Sequence, residues 1–222
     1  MNKVSHWLLP YAPSHNDALK FALFYDKPKF QIDHIMHIIG NKTGIYQRRI
    51  KEMSIFFYGC ITMDGYLADK NHNLDWLYQT GAIEETSYEN FYQSMDIIIM
   101  GKRTFNEIKN IENIDSLYPT TKNYVFTHAE CLPVRGFIPM NCDVIEFVRQ
   151  IERDKNIWIV GGNTILAPLL DNDMVDTIII QIAPVLLGMG IPLFSQKEVL
   201  KRFYLKDVKK YGQFAELVYS KI

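Results

Sequence analysis

Cysteine is scarce in this chain of 222 residues, and no two of its three cysteines lie close together. Cys60, Cys131 and Cys142 share no CxxC spacing, which excludes a disulfide framework or a thiolate zinc site and indicates a reducing compartment. No apolar run reaches the roughly 18 residues that span a bilayer. Near the start, Trp7-Leu8-Leu9 is cut off by Pro10 before it can build the apolar block of a signal peptide. The expectation is a soluble, cytoplasmic protein with no membrane contact. GxGxxG is absent as well, so the Rossmann fingerprint does not apply.

A large charge of either sign is also missing, since the net value is −1. That near-neutrality hides an asymmetry. Residues 1–52 hold eight Lys/Arg against four Asp/Glu, a net +4, and the rest hold 16 against 21, a net −5. An acidic main portion is a poor general binder of nucleic acid, and no such partner is expected. The composition shift puts a boundary near Met53.

Residues 1–52 offer no motif with a mechanism. His34-x-x-His37 presents two nitrogens at helical spacing without an evident third ligand, so no metal site is expected. Arg48-Arg49 and Lys51-Glu52 are pairs whose codons can spell a purine-rich ribosome-binding sequence. The stretch is read as an N-terminal extension, disordered or an artefact of an upstream start codon, ahead of one domain over residues 53–222. With 48% hydrophobic residues, the chain can bury one substantial core.

The domain is organised around Ile157-Trp-Ile-Val-Gly-Gly-Asn-Thr-Ile-Leu166. Four consecutive large apolar residues predict a strand covered on both faces. Gly161-Gly162 removes two Cβ atoms where the strand hands over to a helix, which Asn163 or Thr164 would cap. Asp96-Ile-Ile-Ile-Met-Gly-Lys-Arg-Thr-Phe-Asn-Glu107 repeats the design. There Gly101 ends the strand, and Thr104-x-x-Glu107 reads as a capping box with Lys102 and Arg103 at the lip. The stretch Asn123–Phe126 is a third strand, ending in Thr127-His128.

Around these, Ser54–Ile61 and Thr177–Ala183 read as strands, and Phe203–Val208 with Phe214–Ser220 as an antiparallel pair. Helices are expected over Glu84–Ser94, with Tyr88, Phe91 and Tyr92 on one side, and over Val144–Arg153. Pro168 should leave the helix after Gly162 short or bent. Residues 129–142 read as irregular. Alternating strands and helices predict a mixed, mainly parallel α/β sheet, whose ligands bind at the carboxyl ends of strands. Three anion-friendly junctions on one edge suit an extended, multiply phosphorylated ligand such as a dinucleotide.

Thr62-Met-Asp-Gly-Tyr-Leu-Ala, Leu74-Asp-Trp-Leu, Met100-Gly-Lys-Arg-Thr-Phe, Val160-Gly-Gly and Pro184-Val-Leu-Leu-Gly-Met-Gly-Ile-Pro-Leu-Phe occur in that order. Together, over about residues 53–222, they resemble stand-alone bacterial members of the dihydrofolate reductase superfamily. The resemblance is closer to the reductase domain of the bifunctional riboflavin-biosynthesis deaminase/reductase. It implies a dihydrofolate reductase-like fold, NADPH as hydride donor, and a small-molecule substrate that is pyrimidine- or pterin-like. One candidate reaction is that of a 5-amino-6-(5-phosphoribosylamino)uracil reductase. It further implies that Gly101, Lys102, Arg103 and Thr104 hold cofactor phosphates, and that Thr127 and His128 lie near the 2′-phosphate. Gly161, Gly162, Asn163, Thr164 and Ile165 would line the pyrophosphate and nicotinamide, with a cis peptide in the glycine pair. A homodimer is implied too.

Within that reading, Asp64 is the candidate catalytic group, orienting or protonating substrate. Its plain alternative is turn chemistry. Trp76 would wall the substrate pocket or sit in the core. Gly188 and Gly190 would let their loop close over substrate, or simply make a turn. Glu84, Glu85 and Glu89 occupy the helix where dihydrofolate reductases keep a carboxylate, although the local sequence does not match. Two alternatives stay open: an authentic dihydrofolate reductase, and a non-catalytic NADPH-binding sensor.

Overall fold

The computed structural model describes residues 52–195 and 200–222. The expectations for residues 1–51, including the extension and the His34/His37 pair, lie outside them.

Ten strands and five α-helices make up the described fold. In chain order the elements are β1 (Ser54–Thr62), β2 (Tyr66–Asp69), α1 (Asp75–Tyr78), α2 (Tyr88–Tyr92), β3 (Ile97–Gly101) and α3 (Lys102–Ile108). They continue with β4 (Lys122–Phe126), β5 (Phe137–Met140), α4 (Val144–Arg149), β6 (Asn156–Gly161) and α5 (Asn163–Asp171). The last are β7 (Thr177–Ala183), β8 (Gly190–Pro192), β9 (Phe203–Tyr211) and β10 (Phe214–Lys221).

Eight strands form one sheet in the order β5-β4-β3-β6-β1-β7-β10-β9. The run from β5 to β7 is parallel, and β10 joins β7 and β9 antiparallel. This is the mixed, mainly parallel sheet that the pattern of strands and helices predicts. Its central strands are buried on both faces because alternate residues enter different cores. Ile157 and Ile159 of β6 join Ile97, Ile99 and the helices α4 and α5. Trp158 and Val160 point the other way, into an aromatic cluster with Ile98, Met100 and the α2 residues Tyr88, Phe91 and Tyr92. Period-two geometry explains how four successive apolar residues in one strand can all be covered.

Several local expectations are corrected. The Glu84–Ser94 segment is not one helix. A 3₁₀ turn over Ile83–Glu85 ends at Thr86, and α2 begins only at Tyr88. The Thr86 hydroxyl donates to the Ile83 carbonyl at 2.5 Å and accepts the Tyr88 N–H at 3.3 Å, a local side-chain alternative to helical bonding. α4 ends at Arg149 and is capped at its start by Asp143, whose carboxylate accepts from the Ile145 and Glu146 amides. α5 runs through Pro168 to Asp171, and the Pro168 carbonyl accepts from both Asn172 nitrogens.

Residues 129–142, read as irregular, contain β5. Pro139 is accommodated because β5 is an edge strand. β2 and β8 form a separate two-stranded ladder beside the main sheet. Gly190 therefore sits in a strand and is not free to hinge. A Cβ there would lie 2.3 Å from the Ala68 carbonyl oxygen, so only glycine fits.

Candidate active site

Because β4, β3, β6 and β1 are successive neighbours, the chemistry gathers at their carboxyl ends. Gly101 closes β3 and Gly161 closes β6, so both glycine junctions stand side by side. Gly162 has φ +92°, a conformation that favours glycine, and a Cβ there would approach Gly101 Cα at 3.6 Å and Gly101 N at 3.7 Å. A Cβ on Gly101 would meet Ile165 at 3.5 Å and the Thr164 hydroxyl at 3.6 Å. A side-chain atom on either glycine would thus fill the space between the two junctions. No cis peptide occurs among the described residues, which corrects the isomer expected for Gly161-Gly162. Positive φ at Gly162 makes the turn with both bonds trans.

The capping expectations are corrected too. α3 starts at Lys102 with Gly101 as its N-cap, and α5 starts at Asn163 with Gly162 as its N-cap. Neither start has a side-chain cap, because glycine has no side chain to give. Thr104 lies inside the first turn of α3, its hydroxyl beside the glycine pair. The Asn163 amide instead donates to the Pro192 carbonyl at 3.1 Å, tying α5 to β8. First-turn N–H groups of both helices therefore face the sheet edge uncapped. Among the described residues, no ion pair engages Lys102 or Arg103.

Thr127 and His128 follow β4, next in line along the same edge. The Thr127 hydroxyl accepts the Ala129 N–H at 3.1 Å, and exposed His128 pairs through Nδ1 with Asn141 at 2.9 Å.

On the other side of the glycine pair a cleft of about 200 Å³ opens between β1, β6 and the segment before α2. Arg103, Thr104, Gly161, Gly162 and Asn163 stand on its lip. Tyr58, Tyr88, Trp158 and Gln181 line its interior. Burial pushes the hydroxyls of Tyr58 and Tyr88 well above the usual phenol range and the Cys60 thiol in the same direction. Both phenols remain protonated at neutral pH.

Other candidates fall elsewhere. Trp76 does not line the cleft; it packs in a satellite core with Leu77, Ala183 and Phe214. Asp64 does not line it either. Its carboxylate accepts the Thr62 hydroxyl at 2.5 Å and the Leu187 and Gly188 amides at 3.0 and 2.7 Å. The Thr62 hydroxyl, with those amides, holds Asp64 below the usual carboxylate range, so it is ionised and without a proton to give at neutral pH. It is the clasp between the β1–β2 turn and the loop that contains Gly188. Glu84, Glu85 and Glu89 are all exposed.

The buried carboxylate of this region is one that the sequence reading passed over, Glu216 of β10. It lies on the same face as Phe214, in the apolar phase of its strand, and that misplaced charge was the available signal.

Residues 112–215 match the model of the RibD C-terminal domain. YwjB of Bacillus subtilis is 30% identical over 171 residues, which cover 76% of this chain and 98% of YwjB. The chain belongs to the RibD C-terminal domain family. Among solved structures, a riboflavin biosynthesis protein from Shewanella sp. PV-4 superposes with a TM-score of 0.64 at 21% identity, covering 77% of this chain and 99% of that one. A dihydrofolate reductase from Enterococcus faecalis, complexed with NADP(H), superposes with a TM-score of 0.51 at 10% identity over 75% of this chain and 95% of that one. The RibD-type fold described above is thus also the dihydrofolate reductase-like fold. No helix among the described residues is long and apolar enough to cross a membrane.

Proposed function

We propose that this chain is an NADPH-dependent reductase that delivers hydride to a small pyrimidine- or pterin-like ring held in the cleft. The observation that carries this reading is the adjacency of the Gly101 and Gly161-Gly162 junctions at the carboxyl ends of neighbouring parallel strands, beside the aromatic-walled cleft. Neighbouring strands are about 4.8 Å apart. The ends of β4, β3 and β6 therefore form a track about 10 Å wide, on the scale of a pyrophosphate and its flanking riboses.

The residues present fit such a cofactor. Uncapped amides of α3 and α5, with Lys102 and Arg103, match its phosphates. Thr127 and His128 stand where a 2′-phosphate would separate NADPH from NADH. Gly161, Gly162 and Asn163 lie between that track and the cleft. When bound, the cofactor supplies the hydride. The protein aligns the two rings and excludes water from between them. That a dihydrofolate reductase of the same fold is complexed with NADP(H) supports a cofactor of this class.

Trp158 lines the cleft two positions before Val160 and three before Gly161, so NADPH should quench its fluorescence saturably, with NADH weaker. Oxidation of NADPH at 340 nm with pyrimidine or dihydropterin acceptors then tests turnover. Absence of saturable binding refutes the reading. Binding without oxidation of any acceptor would leave the nucleotide-sensor alternative.

A further inference from the structure

The inner walls of the cleft are almost sealed. Tyr58, Tyr88 and Trp158 line it, yet they are 6%, 3% and 1% exposed. A ligand reaches these rings only if one wall moves. The walls are not equally fixed. Tyr58 and Trp158 belong to β1 and β6, each paired on both sides inside the main sheet. Residues 81–88, which bring Ile83, Thr86 and Tyr88 to the cleft, are held differently. The Glu85 N–H donates to the Ala82 carbonyl at 3.2 Å and the Thr86 N–H to the Ile83 carbonyl at 3.0 Å, so the 3₁₀ turn closes on itself. Among the described residues, no backbone hydrogen bond ties 81–87 to the sheet.

Side chains make the tie instead. Ser87 stands at the N-cap of α2, where a hydroxyl ordinarily accepts from its own helix, but it makes no cap. Its Oγ turns away and donates to Glu216 Oε2 of β10 at 2.5 Å, with the Tyr58 hydroxyl 3.3 Å away. Gln181 Nε2 of β7 donates to the same Glu216 oxygen at 3.1 Å, which anchors a carboxylate only 3% exposed in the sheet. Forgoing the cap and burying the carboxylate are both costly. Both costs fall on one bond, the one that crosses from the segment to the sheet.

We propose that residues 81–88 form a strap over the cleft, latched by the Ser87–Glu216 hydrogen bond, and that release of this latch opens the aromatic interior to ligand. Ser87 and Glu216 are positioning residues. Neither lines the cleft, and they act through Thr86 and Tyr88, which do. The inference rests on the reading that this cleft takes a ligand, and opening of the strap is measured without one.

Native-state hydrogen exchange on the full chain tests it. The reporters are the Glu85 and Thr86 amides and that of Phe91, which donates to the Ser87 carbonyl at 3.1 Å. In the wild type these should exchange through a local opening that low urea does not accelerate, while the Phe57 and Ile159 amides of β1 and β6 follow global unfolding. Ser87→Ala removes the latch hydroxyl and should raise exchange at the three reporters about ten- to a hundredfold, leaving β1 and β6 unchanged. Ser87→Thr restores the hydroxyl and should restore the wild-type rates. With Trp158 as the sole tryptophan, in a Trp7→Phe/Trp76→Phe background, acrylamide quenching should rise in Ser87→Ala and fall back in Ser87→Thr. Wild-type reporters that exchange only by global unfolding overturn the proposal, whether or not Ser87→Ala folds. So do equal reporter rates in the wild type and a folded Ser87→Ala, or a rise spread evenly over β1 and β6. A strap that opens locally in a protein that does not bind NADPH would refute the reductase and leave the latch standing.

Discussion

Gly188 donates its backbone N–H to Asp64 at 2.7 Å across 124 positions of sequence. With the Leu187 amide beside it, this bond fastens the loop after β7 to the end of β1. Asp64→Ala should therefore raise hydrogen exchange at Leu187 and Gly188 while leaving β1 and β7 protected. The pH sign follows from the lowered carboxyl value. A group depressed in the folded state stabilises above its unfolded value and loses that contribution as pH falls through its folded one. Wild-type loop protection should then persist to pH values below the ordinary Asp titration. Loss of protection already in the neutral range would contradict this role.

Tyr88→Phe removes a buried hydroxyl that has no partner in the free protein. The phenyl ring keeps its edge-on contact with Trp158, centroids 5.8 Å apart. Free-protein stability should rise by about 1 kcal/mol, measured by urea unfolding. A clear fall in stability would show that the hydroxyl is satisfied in solution.

Gly162→Leu places a Cβ at φ +92°, where an L-residue costs about 1–3 kcal/mol. The longer side chain must also leave the junction across the Gly101 contact. Circular dichroism should report a folded protein, with NADPH binding reduced beyond detection. Retention of wild-type affinity would remove the foundation of the proposed cofactor track.

His128→Ala should lower NADPH affinity by about ten- to a hundredfold and leave NADH unchanged, since a charge-assisted bond to phosphate is worth about 1.5–3 kcal/mol. Titrations with both nucleotides check it. Equal losses for the two would place His128 away from the 2′-phosphate.

Much of this frame could be read from the residues because burial on both faces writes a continuous apolar run. Ile97–Met100, Ile157–Val160 and Thr177–Ala183 announced β3, β6 and β7 almost to the residue. β5 and β8 were illegible because neither has such a run. Each is a strand only by virtue of its partner, with Ile138 facing Tyr124 and Gly190 facing Asp69. At the candidate site the glycine positions were visible, and their geometry was not. Thr104-x-x-Glu107 fits a capping box in sequence, yet the chain enters α3 three residues earlier because Gly101 ends a paired strand. The deep wall was hidden for a different reason. Ser87, Gln181 and Glu216 lie 94 and 35 positions apart, and only the antiparallel pairing of β10 with β7 sets Glu216 opposite Gln181.

That pairing has a bearing on biosynthesis. A nascent chain that has emerged through β7 holds every strand of the parallel run, with both glycine junctions already side by side. Until β10 docks, however, Gln181 lacks the Glu216 carboxylate that accepts from its amide. The glycine junctions and the buried carboxylate are therefore put in place at separate moments of translation, and a ribosome-stalled intermediate halted after β7 should hold the parallel strands paired while the outer edge of β7 still exchanges freely.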